Sequence, residues 1–278
     1  MTSIATRMVE AHGARIPLVG LGTWELRGRA CVRIVERALR LGYRHVDTAE
    51  LYDNEGEVGE GLRASGIKRE EVFVTTKVWP SHFAPRDLER SAQASLERLQ
   101  LSQVDLFLLH WPNPQIPLRD TLGALCKVKR MGLARHIGVS NFTVALIEEA
   151  VKLAQEPLVC NQIEMHPFIA QSKVIAACRR HGMAIVAYSP VARGGVNRDK
   201  LLSRIGKAHG KTAAQVSLRF LVQQGLAVIP RTSRLERLAE NLAIFDFELS
   251  PAEVAEIDKL KQARMRVVNP PHAPRWDN

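Results

Sequence analysis

Eight short apolar runs, separated by amphipathic stretches, constrain this chain more than any other feature. The runs are "PLVGLG", "YRHVD", "EVFVTTKV", "VDLFLLHW", "RHIGVS", "PLVCNQIE", "MAIVAYSP" and "LAVIPRT". Between them lie "RACVRIVERALRLG", "EGEVGEGLRASG", "PRDLERSAQASLERLQ", "LRDTLGALCKVKRMG", "VALIEEAVKLAQ" and "QSKVIAACRRHG", with "DKLLSRIGKAHG" and "TAAQVSLRFLVQQG" both preceding the last run. The intervening stretches read as helices. Short continuous apolar runs are the pattern of strands buried on both faces. Strand–helix alternation implies a parallel sheet, and eight such units predict a closed α/β (β/α)8 TIM barrel. Ahead of it, "RMVEAHGARIPLVGLGT" reads as two extended pieces turning at Gly13, a β-hairpin. A doubly wound open sheet would need a glycine-rich turn after the first strand. "GLGTWEL" fails that test, because Glu25 stands where the third glycine belongs. "GKAHGKT" fails as a phosphate loop. It has one residue too few between Gly206 and Gly210, and it joins two helical stretches with no strand before it. Nothing divides residues 1–278, so one domain is expected, ending in an irregular tail, "VVNPPHAPRWDN".

The net charge is +10, a balance that favours anionic partners. The arginines and lysines are scattered without long runs, so no nucleic-acid surface is expected. Cys31, Cys126, Cys160 and Cys178 form no close pair, which reads as free thiols in a reducing compartment, with no metal site. "MTSIATRMVEAHG" lacks the apolar core of a signal peptide, and no apolar run reaches the ~18 residues of a membrane span. The expectation is a cytoplasmic protein with no membrane partner.

In an α/β barrel, chemistry collects where the strands end. Here the predicted strands end at Gly22-Thr23-Trp24, at Asp47 with Tyr52 just beyond, at Lys77-Val78-Trp79, at His110-Trp111, at Ser140-Asn141, at Gln162, at Tyr188-Ser189 and at Arg231-Thr232. Each residue alone has an ordinary explanation. Asp47 would cap a helix, Lys77 would sit in solvent, His110 would bond a core carbonyl, and Tyr52 would pack in its loop. Those explanations do not predict that all four converge on one rim. "HVDTAELYDNE", residues 45–55, also sets a tyrosine in a loop crowded with acids, where a phenol gains little from burial.

Acid catalysis accounts for the set. A free tyrosine has a pKa near ~10, poorly matched to proton transfer at neutral pH. A nearby ammonium stabilises the phenolate and lowers that value. Lys77 is expected to supply the charge, Asp47 to be its counter-ion, and His110 to orient the reacting oxygen. The product is a polarised carbonyl with a general acid on its oxygen, which still needs a source of hydride.

The segments "GYRHVDTAELYDNE", "VFVTTKVW", "DLFLLHWP", "HIGVSNF", "NQIE", "YSP" and "VIPRTSRLERLAEN" resemble the aldo-keto reductases, in order from about Ile16 to Asn241. The compact length and the "PRWDN" ending are most similar to the prokaryotic 2,5-diketo-D-gluconate reductase branch, type B. The resemblance implies NADPH lying extended across the barrel top, with Tyr52 as proton donor tuned by Lys77 and Asp47. It implies that Ser140, Asn141 and Gln162 hold the nicotinamide carboxamide and that Tyr188 stacks on the ring. Ser189 and Val191 would belong to the loop over the pyrophosphate. Arg231, Thr232, Ser233, Arg237, Glu240 and Asn241 would hold the adenosine end, and Gly22, Thr23, Trp24 and Asp47 would complete the cofactor contacts. Trp24, Trp79, His110 and Trp111 would wall the substrate pocket, with Trp276 reaching in from the tail.

The residues themselves agree at the adenosine end. Arg231, Arg234 and Arg237 flank the start of a predicted helix, where phosphate is favoured; a solvated basic turn is the alternative. Many relatives carry lysine at the position of Arg231 and read "SPL" where this chain has "SPV". The tail is shorter than in the mammalian branch, so specificity does not carry over from there. Arg264, Arg266 and Arg275 in the tail would attract a carboxylated substrate if they are not simply solvated. The expected activity is NADPH-dependent reduction of a small-molecule aldehyde or ketone, of dicarbonyl or keto-sugar acid type, by a monomer. The alternative is an NADPH-binding redox-sensing or structural subunit with little catalysis.

Overall fold

A computed structural model of the chain describes residues 7–263 and 265–277. Residues 1–6, on which part of the leader expectation falls, Arg264 and Asn278 lie outside the described residues. The expected hairpin is β1 (Met8–Ala11) and β2 (Ala14–Pro17), paired antiparallel. His12 (φ 47°) and Gly13 (φ 82°) make the turn. Positive φ at both central residues matches the twist of a tight hairpin.

Then follow β3 (Leu21–Gly22), α1 (Gly28–Leu41), β4 (His45–Asp47), α2 (Glu55–Ala64), β5 (Phe73–Val78), α3 (Pro85–Leu99), β6 (Val104–Leu109), α4 (Leu118–Arg130) and β7 (Ala134–Ser140). After these come α5 (Val144–Leu153), β8 (Leu158–Glu164), α6 (Ser172–Arg180), β9 (Ala184–Tyr188), α7 (Lys200–Ala208), α8 (Ala213–Gln223), β10 (Ala227–Val228), α9 (Glu236–Leu242) and α10 (Pro251–Asp258). The eight strands β3 to β10 pair in chain order, all parallel. The ends meet: Val19 bridges Val228, Gly22 bridges Arg231, and the Gly20 N–H donates to the Val228 carbonyl at 2.8 Å. The sheet is therefore a closed barrel. Its first and last strands are shorter than the sequence runs imply, because both turn into loops at the seam.

Strand alternation sorts the side chains. On β6, Leu106 and Leu108 join the barrel interior, with Val159, Cys160, Val186 and Ile229, while Phe107 and Leu109 join the layer under the helices. Ala11, Ala14 and Ile16 of the hairpin belong to the interior cluster, so the hairpin plugs the barrel floor. Gly138 on β7 is forced by this crowding, since a Cβ there would lie 2.8 Å from the Cys160 carbonyl oxygen and 2.9 Å from Leu108. The "GKAHGKT" segment is the turn from α7 into α8, whose N-terminus is closed by a Thr212–Gln215 capping box.

Candidate active site

The two-residue period that fills the barrel also builds its rim. His45 and Asp47, Thr75 and Lys77, Leu108 and His110, Gly138 and Ser140, and Cys160 and Gln162 are same-face pairs on successive strands or their ends. The second member of each stands at the C-terminal end, where the apolar filling stops. Lys77 and Asp47 are 0% and 2% exposed, with Lys77 Nζ 2.5 Å from Asp47 Oδ1. The same ammonium donates to the Thr48 carbonyl at 2.8 Å and to the Tyr52 hydroxyl at 3.3 Å. The other Asp47 oxygen accepts from Gln162 Nε2 at 2.7 Å. The carboxylate therefore ties the lysine to Gln162, 115 positions beyond Asp47, a link the sequence does not announce.

Tyr52 ends a short 3-10 turn, Glu50–Tyr52. Asn54 holds this loop, donating to the Thr23 and Leu26 carbonyls at 2.8 and 3.0 Å. Glu50 accepts from the Trp79 N–H at 3.0 Å, and Arg27 donates to the carbonyls of Tyr52 and Asp53. Glu50, Asn54 and Arg27 were not singled out from the sequence. For Glu50 and Asn54 the signal was the density of polar residues in "ELYDNE"; for Arg27 there was none. The Tyr52 ring is edge-on to Trp24 (4.8 Å between centroids) and to His110 (5.6 Å), and His110 is edge-on to Trp79 (5.3 Å).

The electrostatics correct one expectation. Burial would depress the Lys77 ammonium, but Asp47 and then Tyr52 outweigh it and leave its pKa above the ordinary lysine value. Tyr52 moves the other way from the sequence reading. Burial raises its pKa, Lys77 offsets only part of that rise, and Asp47 adds to it, so the phenol ends above its ordinary value. The lysine charge is shared with Asp47 and cannot be spent wholly on the phenol. Burial, then the Lys77 charge, then His272 hold His110 well below the usual imidazole range. It is neutral at physiological pH, and its Nδ1 is buried with no partner among the described residues.

Most of the residues expected around the cofactor gather beside this corner. Ser140 Oγ donates to the Gln162 carbonyl at 2.9 Å, Asn141 Nδ2 to the His110 carbonyl at 3.0 Å, and the Tyr188 hydroxyl to Asn141 Oδ1 at 2.8 Å. Thr23 Oγ1 donates to the Asp47 carbonyl at 2.9 Å. Asn141, Ser189, Ala192, Arg193 and Gly194 all have positive φ. Such residues are concentrated at functional sites, and runs of them turn backbone N–H groups toward one side, as anion-binding loops do. Val191 lies within this run.

The adenosine-end set is looser. Thr232 and Asn241 are buried, whereas Ser233, Arg234 and Arg237 are exposed. Arg231 Nε donates to the Trp24 carbonyl at 3.1 Å across the seam, and Glu240 accepts from Thr212 at 2.8 Å. The helix expected there, α9, has only seven residues and no side-chain N-cap. Its dipole is a weak phosphate site, and the arginines carry that reading. The donor set of carboxamide-sized amides and hydroxyls, an aromatic shelf and exposed arginines suits a phosphorylated nicotinamide dinucleotide.

The tail is irregular in backbone but firmly fixed. Met265 N–H donates to the Phe168 carbonyl at 3.1 Å. Val267 and Val268 N–H donate to the buried Glu164 carboxylate at 2.7 and 2.9 Å, which also accepts from His166 at 2.9 Å. At the far end, Asp277 accepts from the Val144 N–H at the start of α5, at 2.9 Å. Trp276 reaches Trp111, 6.1 Å between centroids. Arg266 is not solvated: its guanidinium lies 3.6 Å from the Trp276 ring centre, with both Nη atoms buried. Arg275 is exposed. Among the described residues no group of three or more His, Cys, Asp or Glu side chains forms a metal-sized cluster, and no helix is long and apolar enough to cross a membrane. All four cysteines are buried and unpaired.

The sequence profile of the Aldo/keto reductase family matches residues 18–262. The chain is 38% identical over 266 residues to methylglyoxal reductase DkgB of Escherichia coli O157:H7, covering 94% of this chain and 99% of that protein. It is 38% identical over 270 residues to the glyoxal reductase of Bacillus subtilis (strain 168), covering 97% and 98%. A solved structure provisionally assigned as a 2,5-diketo-D-gluconic acid reductase B superposes with a TM-score of 0.96 at 46% identity, covering 98% of both chains. The Bombyx mori aldo-keto reductase in complex with NADP superposes at 0.88 with 35% identity, covering 94% of both. With the barrel, its hairpin plug and the rim residues in place, the chain belongs to the aldo/keto reductase family.

Proposed function

We propose that this protein reduces an aldehyde or ketone to an alcohol with NADPH, and that Tyr52 gives the proton. The observation that carries the reading is the Lys77 ammonium, buried with Asp47 and 3.3 Å from the Tyr52 hydroxyl. A binding or sensing subunit has no need of an ammonium buried against a phenol. NADPH, when bound, supplies the hydride. Ser140, Asn141 and Gln162 would take its carboxamide, Tyr188 would back the ring, the turn from Ser189 to Gly194 would face the pyrophosphate, and Arg234 and Arg237 would meet the 2′-phosphate.

The chain's own groups then handle the oxygen. Tyr52, a neutral phenol, faces it as donor, and His110, a neutral imidazole, holds it. An alkoxide is a stronger base than a phenolate, so the raised pKa of Tyr52 still allows the proton to move downhill. Lys77 stabilises the phenolate left behind, and Asp47 keeps Lys77 charged. Trp24, Trp79 and Trp111 give an apolar wall around few polar groups, as small-molecule pockets require.

The similarity to methylglyoxal and glyoxal reductases supports dicarbonyl substrates, and that to a 2,5-diketo-D-gluconic acid reductase B supports keto-sugar acids. A single domain acting as a monomer in the cytoplasm fits the one barrel core and the free cysteines. NADPH oxidation followed against dicarbonyls, keto acids and simple aldehydes tests the reading. Consumption dependent on Tyr52 is expected; no consumption with any of them would overturn it.

A further inference from the structure

Beyond the groups that face the reacting oxygen, one side chain of the pocket is polar, fixed and without an assigned task. His272 sits on the C-terminal loop with its ring edge-on to Trp79 (5.2 Å between centroids) and to Trp111 (5.3 Å). Among the described residues it makes these aromatic contacts and no hydrogen bond. It is exposed, at the mouth of the pocket, and one tryptophan ring separates it from His110, which itself lies edge-on to Trp79.

The loop that carries His272 is built to keep it there. Its start is held by Glu164, a fully buried carboxylate. His166 Nδ1 accepts from the Phe168 N–H at 3.3 Å, so the hydrogen that His166 gives Glu164 is on Nε2. With the Val267 and Val268 N–H groups, three donors meet the carboxylate. The loop's end is held by Asp277, which accepts from Val144 N–H and whose carbonyl accepts from Lys173. In between, Trp276 Nε1 donates to Asn269 Oδ1 at 2.8 Å and Arg266 lies on the Trp276 face, closing the loop on itself. Eleven residues, Val267 to Asp277, fixed at both ends and stapled across the middle, hold a side chain in place at little further entropic cost on binding.

We propose that His272 is a specificity-determining residue that hydrogen-bonds a carboxylate at the far end of the carbonyl substrate. The inference rests on the carbonyl-reductase reading of the site. The surrounding wall is tryptophan; Arg266 lies flat on the Trp276 ring with both Nη atoms buried, out of reach of an incoming carboxylate, and Arg275 is exposed. The imidazole is the polar group on that side, and Arg266 behind Trp276 adds positive field. Because His272 stands a ring's width beyond the groups that hold the reacting oxygen, it reads a substrate of five or six carbons. A three-carbon dicarbonyl is too short to reach it.

The test compares 6-oxohexanoate with hexanal, and methylglyoxal as a short control, in the full-length enzyme with NADPH. His272→Phe keeps the ring packing against Trp79 and Trp111 and removes the N–H; His272→Gln keeps a donor. Wild type should prefer 6-oxohexanoate over hexanal. His272→Phe should lose roughly tenfold or more in kcat/KM for the oxo acid, mainly through KM, because a hydrogen bond to a charged group is removed. Hexanal and methylglyoxal should change less than about twofold, a level at which no such bond is lost. His272→Gln should recover part of the preference. An unchanged ratio of oxo acid to aldehyde in His272→Phe, or no preference in wild type, overturns the role of His272 while leaving the reductase intact. Absence of turnover with all three substrates in wild type overturns the reductase reading and this inference with it.

Discussion

Lys77 and Arg237 are both cations at the open end of one barrel, and the structure treats them in opposite ways. Lys77 has no exposed surface, three bonded acceptors and a carboxylate fixed from two sides. Arg237 is exposed on α9. A proton transfer needs groups held at fixed distance in a low-dielectric setting, where each charge acts strongly and must be answered. Gripping a phosphate at the edge needs only charge and reach. On the proposed function the same residue class would do two jobs, with burial deciding which.

Changes at the buried end should have the largest effect. Tyr52→Phe removes only the hydroxyl, so kcat should fall by ~10²–10⁴-fold, the usual cost of losing a general acid, while NADPH titration of the protein fluorescence stays near wild type. A fully active variant would take Tyr52 out of the chemistry.

Lys77→Met sharpens the contrast by separating stability from rate. It leaves Asp47 buried without its cation, which typically costs about 3–5 kcal/mol, read as a lower midpoint in urea unfolding. Lys77→Met combined with Asp47→Asn removes both charges and should recover much of that stability without recovering activity. If Lys77→Met alone is as stable as wild type, Asp47 is not a buried charge that depends on Lys77.

Arg237→Ala probes the exposed end. No packing is lost, so the unfolding midpoint should not move. The Kd for NADPH should rise about tenfold, as for loss of a charge-assisted bond to phosphate, with the Kd for NADH little changed. Equal weakening of both cofactors would remove Arg237 from the phosphate site.

The two ends also differed in how well they could be read from the chain. The barrel was legible because alternation of short apolar runs with amphipathic helices is a local property, and Asp47, Lys77 and His110 followed from their places at strand ends. Arg231 was legible as a cation but not as a partner of the Trp24 carbonyl, because that bond crosses the barrel seam between residues 207 positions apart. Glu164, within "NQIE", carries no local sign of its role, since its partners lie 103 and 104 residues on, in the tail. His272 stood in a proline-rich stretch with no periodicity to give it a face. Depth was the other hidden quantity. The sequence offered a lysine to acidify Tyr52, but the size of the desolvation opposing it is set only when both groups are sunk into one rim.

That opposition gives the smallest and most discriminating prediction, a region of pH in which nothing happens. The proposed mechanism needs Tyr52 protonated, and burial has moved its pKa above the ordinary phenol value of ~10. It also needs His110 neutral, and burial has moved that pKa well below the ordinary ~6.5. Both shifts widen the working range, one on each side. The kcat/KM for a neutral aldehyde at saturating NADPH should therefore be flat from about pH 6.5 to about pH 10. Had Lys77 lowered the phenol instead, an alkaline limb would fall inside that range. The position of the wild-type alkaline limb settles the sign, and the residual activity of Lys77→Met assigns that limb. Removing the ammonium takes away the one influence that lowers the Tyr52 pKa and leaves Asp47 to raise it, so any alkaline limb should move to higher pH. A wild-type limb between about pH 7 and 9 that shifts with Tyr52 or Lys77 substitution would show the cation winning over burial, and the contrast between the two ends would then rest on charge alone.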